Sequence, residues 1–266
     1  MAELAEEWSL GLESPFEPAH ISLVVPARRP DGALAVLKVN FPESESEHEA
    51  DALACWNGAG AVRLLDRDDA RRALLVERCV PGEQLWSLPE ENAMGIAAEV
   101  LQKLWRAPSE GQPFRHLADE AERWAEDLPR RWLGHGRPFE RELLDRAVGF
   151  LREAGQSQGE QVLVHQDFHG GNVLRSERGW LAIDPKPLVG EREFDTASLL
   201  RDRRRALAND PDAAHTVGQR LDFLATALDL DRERMVGWGI AHGLAWGLEE
   251  QRLEQGHIEC TRLLMG

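Results

Sequence analysis

Val164-His165-Gln166-Asp167-Phe168-His169-Gly170-Gly171-Asn172-Val173-Leu174, followed by Trp180-Leu181-Ala182-Ile183-Asp184-Pro185, is the stretch on which the reading of this chain turns. Two short apolar runs, Asn172 to Arg175 and Trp180 to Asp184, flank Ser176-Glu177-Arg178-Gly179. The polar residues and closing glycine of that tetrapeptide suit a tight reversal between antiparallel strands. A hairpin brings its two ends together, so the carboxamide of Asn172 and the carboxylate of Asp184 converge where a hard cation such as Mg²⁺ takes oxygen ligands. Asp167 lies five residues before Asn172, on the loop that enters the hairpin. Asn, Asp and Gly are also ordinary turn residues; it is the spacing, the hairpin and the second aspartate together that mark a site.

Phosphoryl transfer needs these parts: a carboxylate to orient or deprotonate an attacking hydroxyl, and oxygen ligands for the metal that neutralises the phosphates. The order His-x-Asp, four residues, Asn, then an Asp after a hydrophobic strand matches the protein-kinase catalytic loop and its later metal-binding aspartate. Pro185 stands where kinases carry Phe, and there is no Ala-Pro-Glu motif, which points away from protein kinases. The chain resembles the aminoglycoside phosphotransferase family, in its streptomycin 6-phosphotransferase and hydroxyurea-resistance kinase branch. Trp180 to Lys186, Gly190-Glu-Arg-Glu-Phe-Asp195, Val36-Leu-Lys38-Val39 and His48-Glu49-Ala50 carry that resemblance, which spans roughly residues 8 to 250. It implies an α+β, two-lobed, protein-kinase-like fold. The small antiparallel β N-lobe with one helix would occupy residues 1–78, and the larger, mainly helical C-lobe residues 79–266. It also implies ATP and Mg²⁺ as cofactors and a small hydroxyl-bearing acceptor, an aminoglycoside such as streptomycin.

The chain has three lysines, Lys38, Lys103 and Lys186, among 31 basic residues, so each is worth explaining. Lys38 ends the alternating run from Ala33 to Val39, which reads as a strand after the turn Asp31-Gly32. Kinases hold their phosphate-pairing lysine on such a strand. Eleven residues on, Glu49 falls in an expected helix from Ser44 to Trp56, with Ser44 and Glu47 forming a capping box. A Lys38–Glu49 pair would aim the lysine at the α- and β-phosphates; as a merely exposed pair it would be worth little. Glu45 and Glu47 are alternative partners. Lys186 is placed either to approach a phosphate or to cap the metal loop.

The segment Leu10 to His20 stands where kinases carry a glycine-rich phosphate loop, yet it has one glycine and two prolines; Ser14 is its candidate phosphate contact. Ala61 to Leu65 and Ala73 to Glu77 read as strands that complete a five-stranded sheet, and Pro81-Gly82 ends the pattern at a linker. By resemblance, the Glu77 carbonyl and the Cys79 N–H would meet the adenine edge. Helical spacing then covers Ala93 to Trp105, Leu117 to Trp132, Phe139 to Ala154, Ala213 to Leu228 and Arg232 to Glu254. Trp124, Trp132 and Trp238 read as core or groove wall. Asp195 suits a helix N-cap before Thr196 to Arg201, and by resemblance also bonds the catalytic-loop backbone. His165 reads as a structural histidine orienting Asp167, and His169 as a bystander or a substrate contact. Trp246, Glu249 and Glu250 offer an aromatic wall and carboxylates to a cationic acceptor, or a solvated helix face.

Composition narrows the classes. A net charge of −16 argues against a nucleic-acid binder, and suits either a cationic small substrate or plain solubility. Cys55, Cys79 and Cys260 form no paired motif, so neither zinc nor a disulfide framework is expected. The acidic N-terminus and lack of a long apolar run point to no membrane and a reducing cytoplasm. Oligomeric state is not encoded in any of these features. Three rivals remain: a metallohydrolase built on His165, Asp167, His169 and Asp184; a nucleotide-binding pseudokinase; and a kinase for a sugar, choline or amino-alcohol. The first leaves Lys38 and Glu49 without a purpose.

Overall fold

The computed structural model describes residues 1–16, 22–43, 45–108 and 111–265. Among these, an antiparallel sheet is built from β1 (Gly11–Leu12), β2 (Ser22–Arg28), β3 (Leu34–Asn40), β4 (Leu64–Asp68) and β5 (Ala73–Glu77), in the order β1-β2-β3-β5-β4. Side chains alternate across a strand, and β3 uses both faces. Ala35, Leu37 and Val39 pack with Leu4 of helix α1 (Ala2–Glu7), while Val36 joins the main core with Leu53 and Trp56 of helix α2 (Glu49–Trp56). Lys38 shares the Val36 face, which is why it meets α2.

The remainder is mainly helical: α3 (Glu90–Leu104), α4 (Leu117–Gly134), α5 (Arg141–Ala154), α6 (Ala197–Leu200), α7 (Arg204–Leu207), α8 (Ala213–Leu228), α9 (Arg232–Gly247) and α10 (Gln255–Arg262). Strands β6 (Arg115–His116), β7 (Val162–Val164) and β10 (Leu188–Gly190) form a small sheet, and β8 (Val173–Ser176) pairs with β9 (Gly179–Ala182) as a hairpin. This is the expected α+β architecture. Helix α9 is buried along most of its length from Met235 to Gly247. Its glycines permit close approach: a Cβ at Gly237 would lie 2.2 Å from the Phe150 ring of α5, and one at Gly243 would lie 2.1 Å from Thr261 Oγ1 of α10.

Several local expectations are corrected. Helix α2 starts at Glu49, so Glu47 lies ahead of it and forms no capping box; Ser44 lies outside the described residues, as do Glu17 to His20 of the expected phosphate loop. The strand expected at Ala61 to Leu65 is displaced to Leu64–Asp68, because Ala61 pairs instead with Ala182 of the hairpin. The hairpin reverses over Glu177-Arg178 alone, with Gly179 at φ 105° in the region that favours glycine. The helix expected from Arg232 to Glu254 ends at Gly247. There Leu248 pairs with Leu253 across a polar turn, and the chain folds back so that Ile258 packs on Gly247.

The buried histidines make the fold acid-sensitive. Burial holds His165 down to about 4 and His257 down to about 3, and lowers His242 well below its usual value, with Arg201 adding to the effect on the last two. The unfolded chain protonates these imidazoles near pH 6.5 and the folded chain does not. The stability they contribute is therefore present above about pH 6.5 and lost as pH falls, at up to about 1.36 kcal/mol per pH unit for each. Asp195, pushed up to about 6 by burial, has the opposite sign, since acidification relieves its ionised form. The histidines outweigh it, so urea midpoints should fall between about pH 7 and pH 5. A midpoint that holds steady or rises over that range would contradict neutral buried imidazoles.

Candidate active site

Lys38 extends from β3 into a buried charge cluster. Its Nζ donates to Glu49 Oε1 at 2.8 Å and Oε2 at 2.7 Å, and to Asp184 Oδ1; Asn40 Nδ2 adds a 2.7 Å bond to Glu49 Oε2. Burial alone would lower the Lys38 ammonium, but Glu49 and Asp184 outweigh it and hold it well above its ordinary value. Burial likewise pushes the Glu49 carboxyl up against the pull of Lys38. Asp184, also opposed by burial, is held below the usual carboxylate range by Lys38. Asp184 adopts φ 58°, a left-handed conformation that aspartate tolerates. The cation thus ties the sheet, α2 and the segment after β9 to one point.

The catalytic-type loop is held by backbone bonds from both sides. The Asp195 carboxylate accepts from His165 N at 2.8 Å, Gln166 N at 2.8 Å and Trp105 Nε1 at 3.0 Å. Asp195 lies within a 3-10 turn, Arg192–Thr196, and α6 has Thr196 at its N-cap position with no side-chain cap. The expected N-cap role of Asp195 is therefore corrected: its carboxylate is committed to the loop 30 residues upstream, which lacks other partners for those N–H groups. The His165 ring contacts Ile183 O through Nε2 at 3.0 Å, and Lys186 N donates to His165 O at 3.0 Å. Loop 165–172 and segment 183–186 are thereby locked together.

Asn172 and Asp184 flank the hairpin ends and are joined by Ile183 N donating to Asn172 O at 2.9 Å. Asn172 Nδ2 donates to Asp167 O at 3.1 Å, leaving the carboxamide oxygen as its remaining polar atom. One neutral and one anionic oxygen donor make a set that fits Mg²⁺, which takes few protein ligands and keeps several waters. Among the described residues no group of three or more His, Cys, Asp or Glu is arranged to hold a metal. Of the set His165, Asp167, His169 and Asp184 that a metallohydrolase would use, the His165 ring is bonded to Ile183 O and the Asp184 carboxylate to Lys38.

Asp167 Oδ1 lies 3.6 Å from His169 Nε2, and Oδ2 lies 3.7 Å from Lys186 Nζ. Burial opposes the Lys186 charge, but Asp167 and Glu45 raise its ammonium above the ordinary value. The His169 ring stacks on Trp86 with ring centres 5.1 Å apart. Asp202 completes the support: it accepts from Gly170 N at 2.9 Å and from Trp86 Nε1. Gly170 and Gly171 are required here, since an added Cβ would lie 2.5 Å and 2.7 Å, respectively, from the Trp86 ring. Sequence reasoning missed Trp86, Trp105 and Asp202. Each acts across more than 30 residues of chain; Trp105 was legible only as the end of an apolar helix face, and Trp86 and Asp202 sit in no patterned local context.

On the sheet side, the Glu77 carboxylate accepts from Arg63 N at 2.9 Å and from Arg178 Nε at 2.9 Å. Arg178 also donates to Gly58 O, so the hairpin turn is hooked to the end of β5 and to the loop after α2. Burial, then Glu77, pushes the Cys79 thiol up to about 12, so it stays protonated. A separate cavity of about 270 Å³ is lined by Glu45, Lys186, Trp246, Glu249 and Glu250 together with Arg123, Trp124 and Arg131. The structure thus gathers Trp246, Glu249 and Glu250 at one place, adds Glu45 to them, and leaves His169 outside the lining. The turn that ends α9 is what swings Glu249 and Glu250 towards this cavity.

Residues 7–252 match the family described as aminoglycoside/hydroxyurea antibiotic resistance kinase. Streptomycin 6-kinase of Streptomyces glaucescens is 36% identical over 253 residues, covering 93% of this chain and 82% of that protein. Hydroxyurea phosphotransferase of Kitasatospora aureofaciens is 35% identical over 274 residues, covering 100% of this chain and 78% of that protein. In fold, the chain is similar to a thermostable mutant of aminoglycoside phosphotransferase APH(4)-Ia, solved as a ternary complex with ADP and hygromycin B. The TM-score is 0.64 at 17% identity, covering 100% of this chain and 95% of that one.

Proposed function

The chain belongs to the aminoglycoside/hydroxyurea antibiotic resistance kinase family, and on that footing we propose that it transfers the γ-phosphate of ATP to a hydroxyl of an aminoglycoside such as streptomycin. The observation that carries the reading is the convergence of the Lys38–Glu49–Asp184 cluster with Asp167 and Asn172 beside a cavity lined by Glu45, Glu249 and Glu250 together with Arg123, Arg131 and Lys186.

Residues 1–78 serve as the nucleotide lobe and residues 79–266 supply the catalytic loop and acceptor site. The Glu77 carbonyl and Cys79 N–H receive the adenine edge. Lys38, held by Glu49, pairs with the α- and β-phosphates. The oxygens of Asn172 and Asp184 would hold Mg²⁺, which would neutralise phosphate charge. Asp167 accepts the proton of the attacking hydroxyl and orients it for in-line attack. His165, neutral because burial holds it down to about 4, positions the loop and does not carry the proton. Asp195 keeps that loop in register. Glu249 and Glu250, with Trp246 beside them, receive the acceptor: carboxylates suit a guanidinium or ammonium group better than a neutral one.

The test is Mg²⁺-dependent transfer of labelled phosphate from ATP to streptomycin, to other aminoglycosides and to hydroxyurea. Transfer to streptomycin is the expected result. Tight Mg-ATP binding with no transfer to any member of the panel would overturn the antibiotic assignment.

A further inference from the structure

Lys186 is held more firmly than a surface lysine. It stands between Pro185 and Pro187, which restrict the backbone on both sides. Its own N–H is bonded to His165 O at 3.0 Å, so it moves as one piece with the loop that carries Asp167. Its Nζ lies 3.7 Å from Asp167 Oδ2, 3.4 Å from Glu45 Oε2 and 4.4 Å from the centre of the Trp246 ring. The side chain is only 13% exposed.

The charge balance at Asp167 gives this lysine a task. A carboxylate that orients the acceptor hydroxyl also faces the incoming phosphoryl group, whose equatorial oxygens carry negative charge in the transition state. Lys38, held by Glu49, is assigned to the α- and β-phosphates rather than to the group in flight. Among the described residues, the Asp167 carboxylate is flanked by the His169 imidazole and the Lys186 ammonium. The His169 ring is stacked on Trp86 and is not part of the cavity lining. Lys186, in contrast, lines the cavity and borders Asp167 at once.

Resting on the phosphotransferase reading above, we propose that Lys186 is a further catalytic residue, whose ammonium contacts the oxygens of the phosphoryl group in flight. The bond from Pγ to the ADP oxygen breaks as the bond from Pγ to the acceptor oxygen forms. The hydroxyl proton passes to Asp167, and Lys186 keeps its protons throughout. Glu45 and the Trp246 face hold the ammonium while one of its donors turns from Asp167 to the phosphoryl oxygens.

Lys186→Gln keeps hydrogen-bonding capacity towards Asp167 and Glu45 but removes the charge; Lys186→Arg keeps the charge. Two readouts are needed: steady-state transfer, and the affinity for Mg-ADP with and without aluminium fluoride, which mimics the phosphoryl group and needs no acceptor. Lys186→Gln should lower kcat by about 100-fold with KM for ATP unchanged. It should bind Mg-ADP as the unaltered protein does, yet lose the tightening that fluoride brings. Lys186→Arg should recover much of both. Fluoride tightening preserved in Lys186→Gln, or a change confined to KM for the acceptor, would overturn the proposal. If the unaltered protein phosphorylates no acceptor, the aminoglycoside reading fails, while the fluoride comparison still decides the role of Lys186.

Discussion

Replacing Asp167 by asparagine is expected to lower kcat for transfer by about 10³-fold while leaving the fold and nucleotide affinity intact. The substitution keeps the side-chain shape and removes the proton acceptor. The bonds that shape the loop use the Asp167 backbone, not its carboxylate: its N–H donates to His165 O, and its carbonyl accepts from Asn172. Lys38, Glu49 and Asp184 do not touch it, so the phosphate and metal groups stay as they are. Lys186 loses one anionic partner but retains Glu45 and Trp246. Thermal unfolding and Mg-ADP titration should therefore match the unaltered protein while turnover collapses. A fall in kcat of less than about tenfold would mean that proton transfer to Asp167 contributes little to the barrier.

What could be read from the sequence, and what could not, divides by distance along the chain. Asn172 and Asp184 are joined by one hairpin, so register alone brings them together, and a motif with fixed internal spacing is legible without a structure. Lys38 and Glu49 lie on a strand and the helix that follows it, each marked by its own periodicity. The α+β architecture followed from the same patterns. The supports of the loop were opaque, because they depend on packing that no local pattern announces. Trp86 reaches Asp202 across 116 residues, and Asp195 reaches Trp105 across 90. Asp195 carried two expectations, of which the local one fails: its position suits an N-cap, yet its carboxylate takes the N–H groups of His165 and Gln166, the role that the resemblance implied. The turn after Gly247 was hidden for a related reason. Glu249 to Arg252 continue a plausible polar helix face, and only the docking of α10 on α9 decides that the helix must end.

Lys38→Met should be damaging in two separable ways, and a second substitution should pull them apart. Glu49 is almost fully buried and its carboxylate is bonded by Lys38 and Asn40. Removing the cation leaves that carboxylate in a low-dielectric site with too few donors, a loss of about 3–5 kcal/mol when a buried pair is broken from one side. Protonation of Glu49 limits the loss, since burial already pushes its carboxyl up. Transfer should fall as well, because no other cation in the cluster is aimed by α2 at the phosphates. Adding Glu49→Leu removes the orphaned carboxylate and fills its place with apolar volume, so the double variant should regain most of the lost stability. It should regain none of the activity. Urea unfolding and transfer assays on the single and double variants make the comparison. If stability and activity return together in the double variant, the pair serves the fold alone; if stability returns and activity does not, the ammonium of Lys38 acts on the nucleotide, and Glu49 is retained because a buried lysine needs a counter-charge to stay ionised and aimed.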